Sequence, residues 1–548
     1  MEPFLMTGEK KQRYLEKKLW GLPTLPEVFE EKAKEHPDKE AFVDSKTRLT
    51  YAEAEQCIDR LALGFARLGF EKDDVVVVQL PNVVEAALMR LALPKAGIMP
   101  LMVMPAFGSE EVRHILNFTK AKGIVIPWRF RNRDYFQMVK EFYDELEVKP
   151  KIFMTGDSAP AEAISVSEMM KSPWEGEIPP FVLQERMITT WEVQELSTTT
   201  GSTGMPKISE SYGWNQLMGH VHLERWALTG EDNLGLLVPF PGGIANNFWA
   251  GGIIGGCKMA FLEQFEATDA FKFVERERIS ILCGVPTVAD NMVKAQNLGD
   301  FDLSSLRIFF LAGALTPPAL AEEVEQKLGC KVIILLGSMD FGPISETSVE
   351  DMSEVRYRSV GRPLFGTEVK VVDEKGEEVP AGEQGELICR GPYSFTGYYK
   401  RPEFTLEAYG GDKDGWFRTG DQIKIDGEGN LYVTGRLKDI IKRGGMTIVP
   451  TEIEHLLRLH RKVMDVAVVS MPDADLGERA CAFVIPKRGE QFSFEEMISL
   501  LEERGMAKFK WPERLEIADE FPMVGDQKVS KRKLTEIITD KLKAEGKV

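Results

Sequence analysis

Ser197-Thr198-Thr199-Thr200-Gly201-Ser202-Thr203-Gly204-Met205-Pro206-Lys207 packs four threonines, two serines, two glycines and a lysine into eleven residues. Small residues let backbone N–H groups turn toward an anion, hydroxyls add donors, and the lysine supplies a point charge. The stretch is suited to holding phosphates. It lacks the GxxxxGK[ST] spacing of a Walker loop, so its grip has a different geometry. Taken alone, a Ser/Thr/Gly run also reads as a flexible surface loop.

Around it, short β-branched runs at Val75–Val78, 123–126, 279–282 and 331–335 alternate with helical patterns. Strands separated by helices predict parallel sheets with helices on both faces. After Tyr357 the texture changes to two turn-punctuated hairpins, 368–388 around Asp373-Glu374-Lys375-Gly376 and 422–433 around Asp426-Gly427-Glu428-Gly429-Asn430. This predicts a small β-rich lobe. Further on, Thr451-Glu452-Ile453-Glu454 reads as a capping box ahead of Ile453, Leu456 and Leu457 at helical spacing, the start of a separate C-terminal domain. A last helix over Lys531–Ala544 places Leu534, Ile537, Ile538 and Leu542 on one face.

With 548 residues the chain is too long for one core. A net charge of -18 opposes a phosphate backbone over most of the surface, which excludes nucleic acid as a partner and requires local donors for any polyanionic ligand. The six cysteines are scattered, with no C-x-x-C pair and no metal spacing. The N-terminus lacks the apolar core of a signal peptide, so a cytoplasmic protein is expected. The nearly uncharged stretch 242–262 contains six glycines, Asn246, Asn247 and Lys258, and reads as buried interior rather than an integral membrane span.

The order T-[ST]-G-[ST]-T-G-x-P-K at 199–207 resembles the signature loop of the AMP-forming adenylating superfamily, which holds acyl-CoA synthetases, aryl-acid adenylating enzymes, nonribosomal adenylation domains and luciferases. Leu311-Ala312-Gly313-Ala314 is similar to its Gly-Ala turn at the nucleotide. Leu336-Gly337-Ser338-Met339-Asp340 sits where the family carries an aromatic-G-x-[TA]-E motif. Gly385-Glu386-Leu387, Arg390-Gly391-Pro392 and Gly397-Tyr398-Tyr399 match the next block, followed by Trp416-Phe417-Arg418-Thr419-Gly420-Asp421 and Gly435-Arg436-Leu437-Lys438-Asp439. Last come Gly444-Gly445, Pro450-Thr451-Glu452-Ile453-Glu454, and Phe521-Pro522-Met523-Val524-Gly525-Asp526-Gln527-Lys528. The blocks keep the family's order over most of the chain.

The resemblance implies an α/β fold: a large N-terminal domain at 1–437, of parallel α/β sublobes plus the β-rich lobe, and a small mobile α+β C-terminal domain at 438–548. It implies a reaction in which a carboxylic acid attacks the α-phosphate of ATP, with Mg²⁺, and the acyl-adenylate then passes to the thiol of coenzyme A. Charge gathers on one phosphorus, so positioning and electrostatics carry most of the catalysis. By the same resemblance Thr199, Thr200, Gly201, Ser202, Thr203, Gly204 and Lys207 grip the β- and γ-phosphates. Gly313, Ala314, Leu336, Gly337, Ser338 and Met339 border the nucleotide, and Asp340 helps hold the metal. Asp421 accepts from the ribose hydroxyls with Arg436 assisting, and Lys528 is the catalytic residue at the α-phosphate. Lys438 stands at the hinge, and Gly444 and Gly445 at the pantetheine tunnel, where glycine lets a ligand approach the backbone. Without the family, Asp421 and Gly444-Gly445 read as turn residues, and Lys528 as one solvated lysine beside Lys531, Arg532 and Lys533.

Leu336 stands where the family often has a ring for stacking on adenine, and Asp340 is one methylene shorter than the usual glutamate. The acid pocket implied by the resemblance comprises Gly242, Gly243, Ile244, Asn247 and Phe248, with Gly313 and Gly337 opposite. The N-terminal half resembles the dihydroxybenzoate- and cyclohexanecarboxylate-activating branch. Dihydroxybenzoate ligases carry His-Asn-Tyr where this chain has Gly242-Gly243-Ile244, which disfavours a catechol acid. The glycines imply room, and Ile244, Phe248 and Trp249 suggest an apolar alicyclic, aromatic or medium-chain acid, with Asn246 and Asn247 able to read a polar group. Two alternatives stay open: a stand-alone aryl-acid ligase that loads a carrier protein's pantetheine, and a non-catalytic protein that binds nucleotide or acyl-adenylate. Joint retention of Lys207, Asp340, Asp421, Arg436 and Lys528 argues against the second.

Overall fold

The structure is a computed structural model that describes residues 12, 14–17, 21, 23–156, 159–179, 181–198, 205–212, 215–339, 341–393, 397–410, 415–444, 446–524 and 528–547, with the backbone alone at 215–217, 438, 447, 524 and 528. Contacts group the chain into two compact units, Met1–Glu368 with Arg390–Phe417, and Val369–Cys389 with Arg418–Val548.

The first unit holds two large sheets. In one, strands Ile208–Tyr212, Val193–Thr198, Met99–Met102, Val75–Val78, Gly123–Pro127, Lys151–Thr155 and Ile164–Ser165 lie side by side. All neighbours are parallel except the hairpin of Val193–Thr198 with Ile208–Tyr212. The other has nine strands, and its centre is the parallel run Lys331–Ser338, Ile308–Leu311, Ile281–Gly284, Asn233–Leu236, Lys258–Phe261 and Glu40–Val43. The β-branched runs read from the sequence form these strands, because a strand buried on both faces needs apolar side chains throughout; Val75–Val78 is buried at all four positions. The run expected at 279–282 begins later, at Ile281, since Ile279 and Ser280 turn the chain in from the preceding helix.

The stretch 242–262 becomes helix Gly243–Gly255 and strand Lys258–Phe261. No helix among the described residues is long and apolar enough to cross a membrane. The glycines of this helix are sites of close approach. A Cβ on Gly251 would lie 2.9 Å from His222 Cδ2, and one on Gly252 2.5 Å from Met259 Sδ. On the facing helix, Asn215–Arg225, a Cβ on Gly219 would lie 2.4 Å from Ile254 Cγ1 and 2.7 Å from the Ala250 carbonyl oxygen.

In the second unit the strand expected after 368 runs over Glu368–Val372, turns at Asp373–Gly376 and joins Gly385–Arg390, Phe417–Ile425 and Leu431–Arg436 in a four-stranded sheet. A five-stranded sheet follows, centred on the long pair Val463–Asp473 and Gly477–Pro486. Side chains alternate along each strand. Val466, Val468, Ala480, Ala482 and Val484 pack on helices Pro450–Arg458 and Phe494–Glu503 through Ile453, Leu457, Met497 and Leu501. Ala467, Val469, Cys481, Phe483 and Ile485 face helix Lys531–Ala544 through Leu534, Ile538 and Leu542.

Two local expectations are corrected. Ile537 is 41% exposed, because the buried stripe of its helix follows Leu534, Ile538 and Leu542. The capping box at 451–454 does not form: Val449 is the N-cap residue, with no side-chain cap. Thr451 Oγ1 donates instead to the Thr434 carbonyl oxygen at 2.8 Å, and the Glu454 carboxylate accepts from the Val468 N–H at 2.7 Å. Tertiary partners outcompete the local cap.

Gly219→Ala is expected to lower stability by about 1–3 kcal/mol, the usual cost of overpacking a tight contact; urea unfolding of the variant beside the wild type measures it.

Candidate active site

The hairpin of Val193–Thr198 and Ile208–Tyr212 brackets the Ser/Thr/Gly loop, with Ser197 opposite Ser209 and Thr198 opposite Ile208. Thr199, Thr200, Gly201, Ser202, Thr203 and Gly204 lie outside the described residues, as do Asp340, Gly445 and Gln527. Lys207, at the loop's far end, holds its Nζ 4.7 Å from the ring centroid of Tyr398 and 4.9 Å from that of Phe404. The Gly397-Tyr398-Tyr399 block reaches this place by extending the hairpin: the Glu210 N–H donates to the Gly397 carbonyl oxygen at 3.0 Å, and the Tyr399 N–H to that of Ile208 at 2.8 Å. Two motifs 190 residues apart are thus adjacent, and Lys207 is aromatic-supported and half-buried. Burial pushes the Glu210 carboxyl up from 4.5 to about 7. Burial first, and then Glu210, pushes the Tyr399 phenol up to about 12.

The other motifs of the first unit sit at the carboxyl ends of neighbouring parallel strands, where open α/β sheets bind ligands. Gly313 and Ala314 follow strand Ile308–Leu311 and are exposed, Gly313 in the left-handed region at φ +85°. Leu336, Gly337 and Ser338 end strand Lys331–Ser338 and, like Met339, are half-buried. Gly337 lies against the returning chain; a Cβ there would come within 3.0 Å of the Gly342 oxygen and Pro343 Cα. Gly242 is the N-cap residue of helix Gly243–Gly255. A Cβ on Gly243 would lie 2.6 Å from Met339 Sδ. The space beside Gly243 is therefore taken by the methionine rather than left open, and the end of the 336–339 segment touches the start of helix Gly243–Gly255 there.

Ile244 and Asn247 are half-buried, and Asn247 Nδ2 donates to the Gly243 carbonyl oxygen at 2.9 Å. Phe248 and Trp249 are fully buried in ring packing, Phe248 at 6.1 Å from Trp226, Trp249 at 5.6 Å from Phe42 and 5.3 Å from Phe240. Sequence reasoning missed Asn82 as a support. Its Nδ2 donates to the carbonyl oxygens of Val238 (2.8 Å) and Leu262 (3.1 Å), and its Oδ1 accepts from the Phe240 N–H (2.8 Å), which fixes the turn leading into Gly242. The signal was present in Leu80-Pro81-Asn82, a polar residue closing an apolar run.

In the second unit Asp421 and Arg436 face each other across the antiparallel pair Phe417–Ile425 and Leu431–Arg436. Asp421 is 2% exposed and accepts from Arg436 Nε at 2.9 Å, while its own N–H donates to Thr419 Oγ1 at 3.0 Å. Burial first and this carboxylate second push the Cys389 thiol well up. Lys438 lies in the turn 437–439, and Gly444, exposed at φ +54°, donates its N–H to the Leu476 carbonyl oxygen at 2.8 Å. Lys528 begins the short strand Lys528–Val529 opposite Val524. Elsewhere in the unit, Lys510 is paired with Glu452, and Lys508 rests 5.6 Å from the Trp511 ring centroid. Among the described residues no group of three or more His, Cys, Asp or Glu side chains is arranged to hold a metal ion.

Residues 29–399 match the model of the family described as AMP-binding enzyme, and residues 452–528 that of the AMP-binding enzyme C-terminal domain. The chain belongs to this family of acid-adenylating ligases. It is similar to the 2,3-dihydroxybenzoate-AMP ligase of Bacillus subtilis (strain 168), with 31% identity over 98% of this chain and 97% of the relative. It is also similar to the medium-chain fatty-acid–CoA ligase of Escherichia coli (strain K12), with 29% identity over 95% and 92%. The solved structure of the anthranilate CoA ligase AuaEII in complex with anthranoyl-AMP shares the fold, with a TM-score of 0.85, 20% identity, and 95% and 98% of the two chains covered.

Glu210 gives a pH prediction. A carboxyl whose pKa rises from 4.5 to about 7 on folding favours the folded state below about pH 4.5 and loses that contribution as pH rises through 7. Glu210→Gln is expected to flatten this decline, so that its stability relative to the wild type improves from pH 5 to pH 8; denaturant melts across that range check it.

Proposed function

We propose that this chain activates a carboxylic acid with ATP as an acyl-adenylate and passes the acyl group to coenzyme A. The observation that carries the reading is the contact of Met339 with Gly243. A carboxylate oxygen can attack the α-phosphorus only if acid and nucleotide are held side by side, and this contact joins the motifs assigned to each. In the first step an oxygen of the acid bonds to the α-phosphorus and the bond to the β-phosphate oxygen breaks, releasing pyrophosphate. In the second the thiol sulfur bonds to the acyl carbon, the bond to AMP breaks, and the thiol proton leaves to solvent.

Lys207 and the 199–204 loop hold the β- and γ-phosphates, Asp421 takes the ribose hydroxyls with Arg436 fixing its carboxylate, and Lys528 stabilises charge at the α-phosphate. Asp340 would hold Mg²⁺, which neutralises phosphate charge when bound. Domains at 1–437 and 438–548 rotate about Lys438 between the steps, and Gly444 and Gly445 line the pantetheine path. The acid is an aromatic, alicyclic or medium-chain one of limited width, since Met339 fills the space beside Gly243 and Ile244 adds an apolar wall. A second reading, transfer to a carrier protein's pantetheine, is favoured by similarity to the 2,3-dihydroxybenzoate-AMP ligase.

The test is AMP formation with and without coenzyme A over benzoate, salicylate, cyclohexanecarboxylate and octanoate, beside acid-dependent ATP–pyrophosphate exchange. AMP release that needs coenzyme A is expected; exchange with no coenzyme A-dependent AMP release would favour the carrier reading. Lys528→Ala is expected to slow exchange by about 10²–10³-fold, the loss typical of removing one transition-state donor. Unchanged exchange in that variant would remove Lys528 from the mechanism.

A further inference from the structure

Helix Val84–Lys95 carries Arg90 at a position only 4% exposed. A buried guanidinium requires a partner. Arg90 Nε donates to Glu195 Oε2 at 2.5 Å and Nη2 to Glu195 Oε1 at 2.6 Å, a two-pronged pair, and Nη2 donates also to Asn246 Oδ1 at 2.7 Å. The guanidinium lies 4.9 Å from the Phe240 ring centroid. Glu195 belongs to strand Val193–Thr198, which feeds the Ser/Thr/Gly loop, and it also accepts from Ser197 Oγ at 3.3 Å. Asn246 stands in the first turn of helix Gly243–Gly255, three residues after Gly243. One guanidinium therefore ties the strand entering the phosphate loop to the start of the acid helix.

A buried ion pair adds little stability over an apolar pair of the same volume. What the planar fork does add is fixed distance and angle between the elements that carry its partners. We propose that Arg90 is a positioning residue that sets the spacing between the phosphate loop and the acid helix, so that acid and ATP bind cooperatively through the Arg90–Glu195–Asn246 link. The proposal rests on the functional reading above. Coupling of this kind is reciprocal, and each ligand tightens the other by the same factor.

The test uses the full chain and three variants: Asn246→Ala, which removes the arm to the acid helix; Glu195→Gln, which keeps the shape and removes the charge; and Arg90→Met with Glu195→Leu, which leaves Asn246 in place and replaces the pair by apolar volume. Affinity for α,β-methylene ATP, which cannot release pyrophosphate, is measured by calorimetry with and without the acid that gives the fastest exchange in the wild type. The wild type is expected to bind the analogue about fivefold or more tightly with acid present. In Asn246→Ala that factor falls toward one, Glu195→Gln keeps part of it, and the double variant loses it at an unchanged melting temperature. A merely structural role would lower the melting temperature and leave the factor intact. A folded double variant with the wild-type factor, or an exchanging wild type with no acid effect on analogue affinity, overturns the proposal. A wild type without exchange on any acid overturns the functional reading instead; equal analogue affinity in wild type and double variant would then overturn the positioning role as well.

Discussion

A chain with a net charge of -18 repels a triphosphate on average, so a nucleotide can be held only where the local field is reversed. The strands on either side of the Ser/Thr/Gly segment pair with each other in a largely parallel sheet, and Lys207 just past that segment is supported by aromatic faces, whose quadrupole attracts a cation. In the second unit the buried carboxylate of Asp421 is compensated by Arg436 at 2.9 Å.

The parallel strands do the rest of the positioning. Strands that share a direction end at one edge, so motifs far apart in sequence arrive together without needing contact between the motifs themselves. Gly313 and Gly337 stand at the ends of adjacent strands for this reason. The contact of Met339 with Gly243 follows from the same geometry: a helix that starts with glycines can approach the neighbouring strand end closely enough for one flexible thioether to fill the gap.

Much of the fold was legible from periodicity. Val75–Val78 and Lys531–Ala544 form at the limits read from the pattern, since continuous β-branched runs and a long amphipathic stripe are strong local signals. What failed was decided by tertiary partners. Thr451 has the sequence of a cap but donates across to Thr434, and Ile537 lies just off a stripe whose width only the facing sheet determines. Motif order singled out Lys207, Leu336, Met339 and Asp421, but not the side chains that pack around such motifs. Arg90 and Glu195 are 105 residues apart and carry no motif. One clue was visible: an arginine within the apolar run of Val84–Lys95 demands a buried partner, although nothing local says where that partner is.

The five-stranded sheet of the second unit has apolar side chains alternating to both faces, one face covered by two helices and the other by helix Lys531–Ala544. An element sealed on both sides draws its folding free energy from within, and so its outer residues are released from the demands of the core. Substitutions there are filtered by what the surface meets, not by whether the sheet folds. Such a module can diversify on its outer face while the architecture beneath it stays constant.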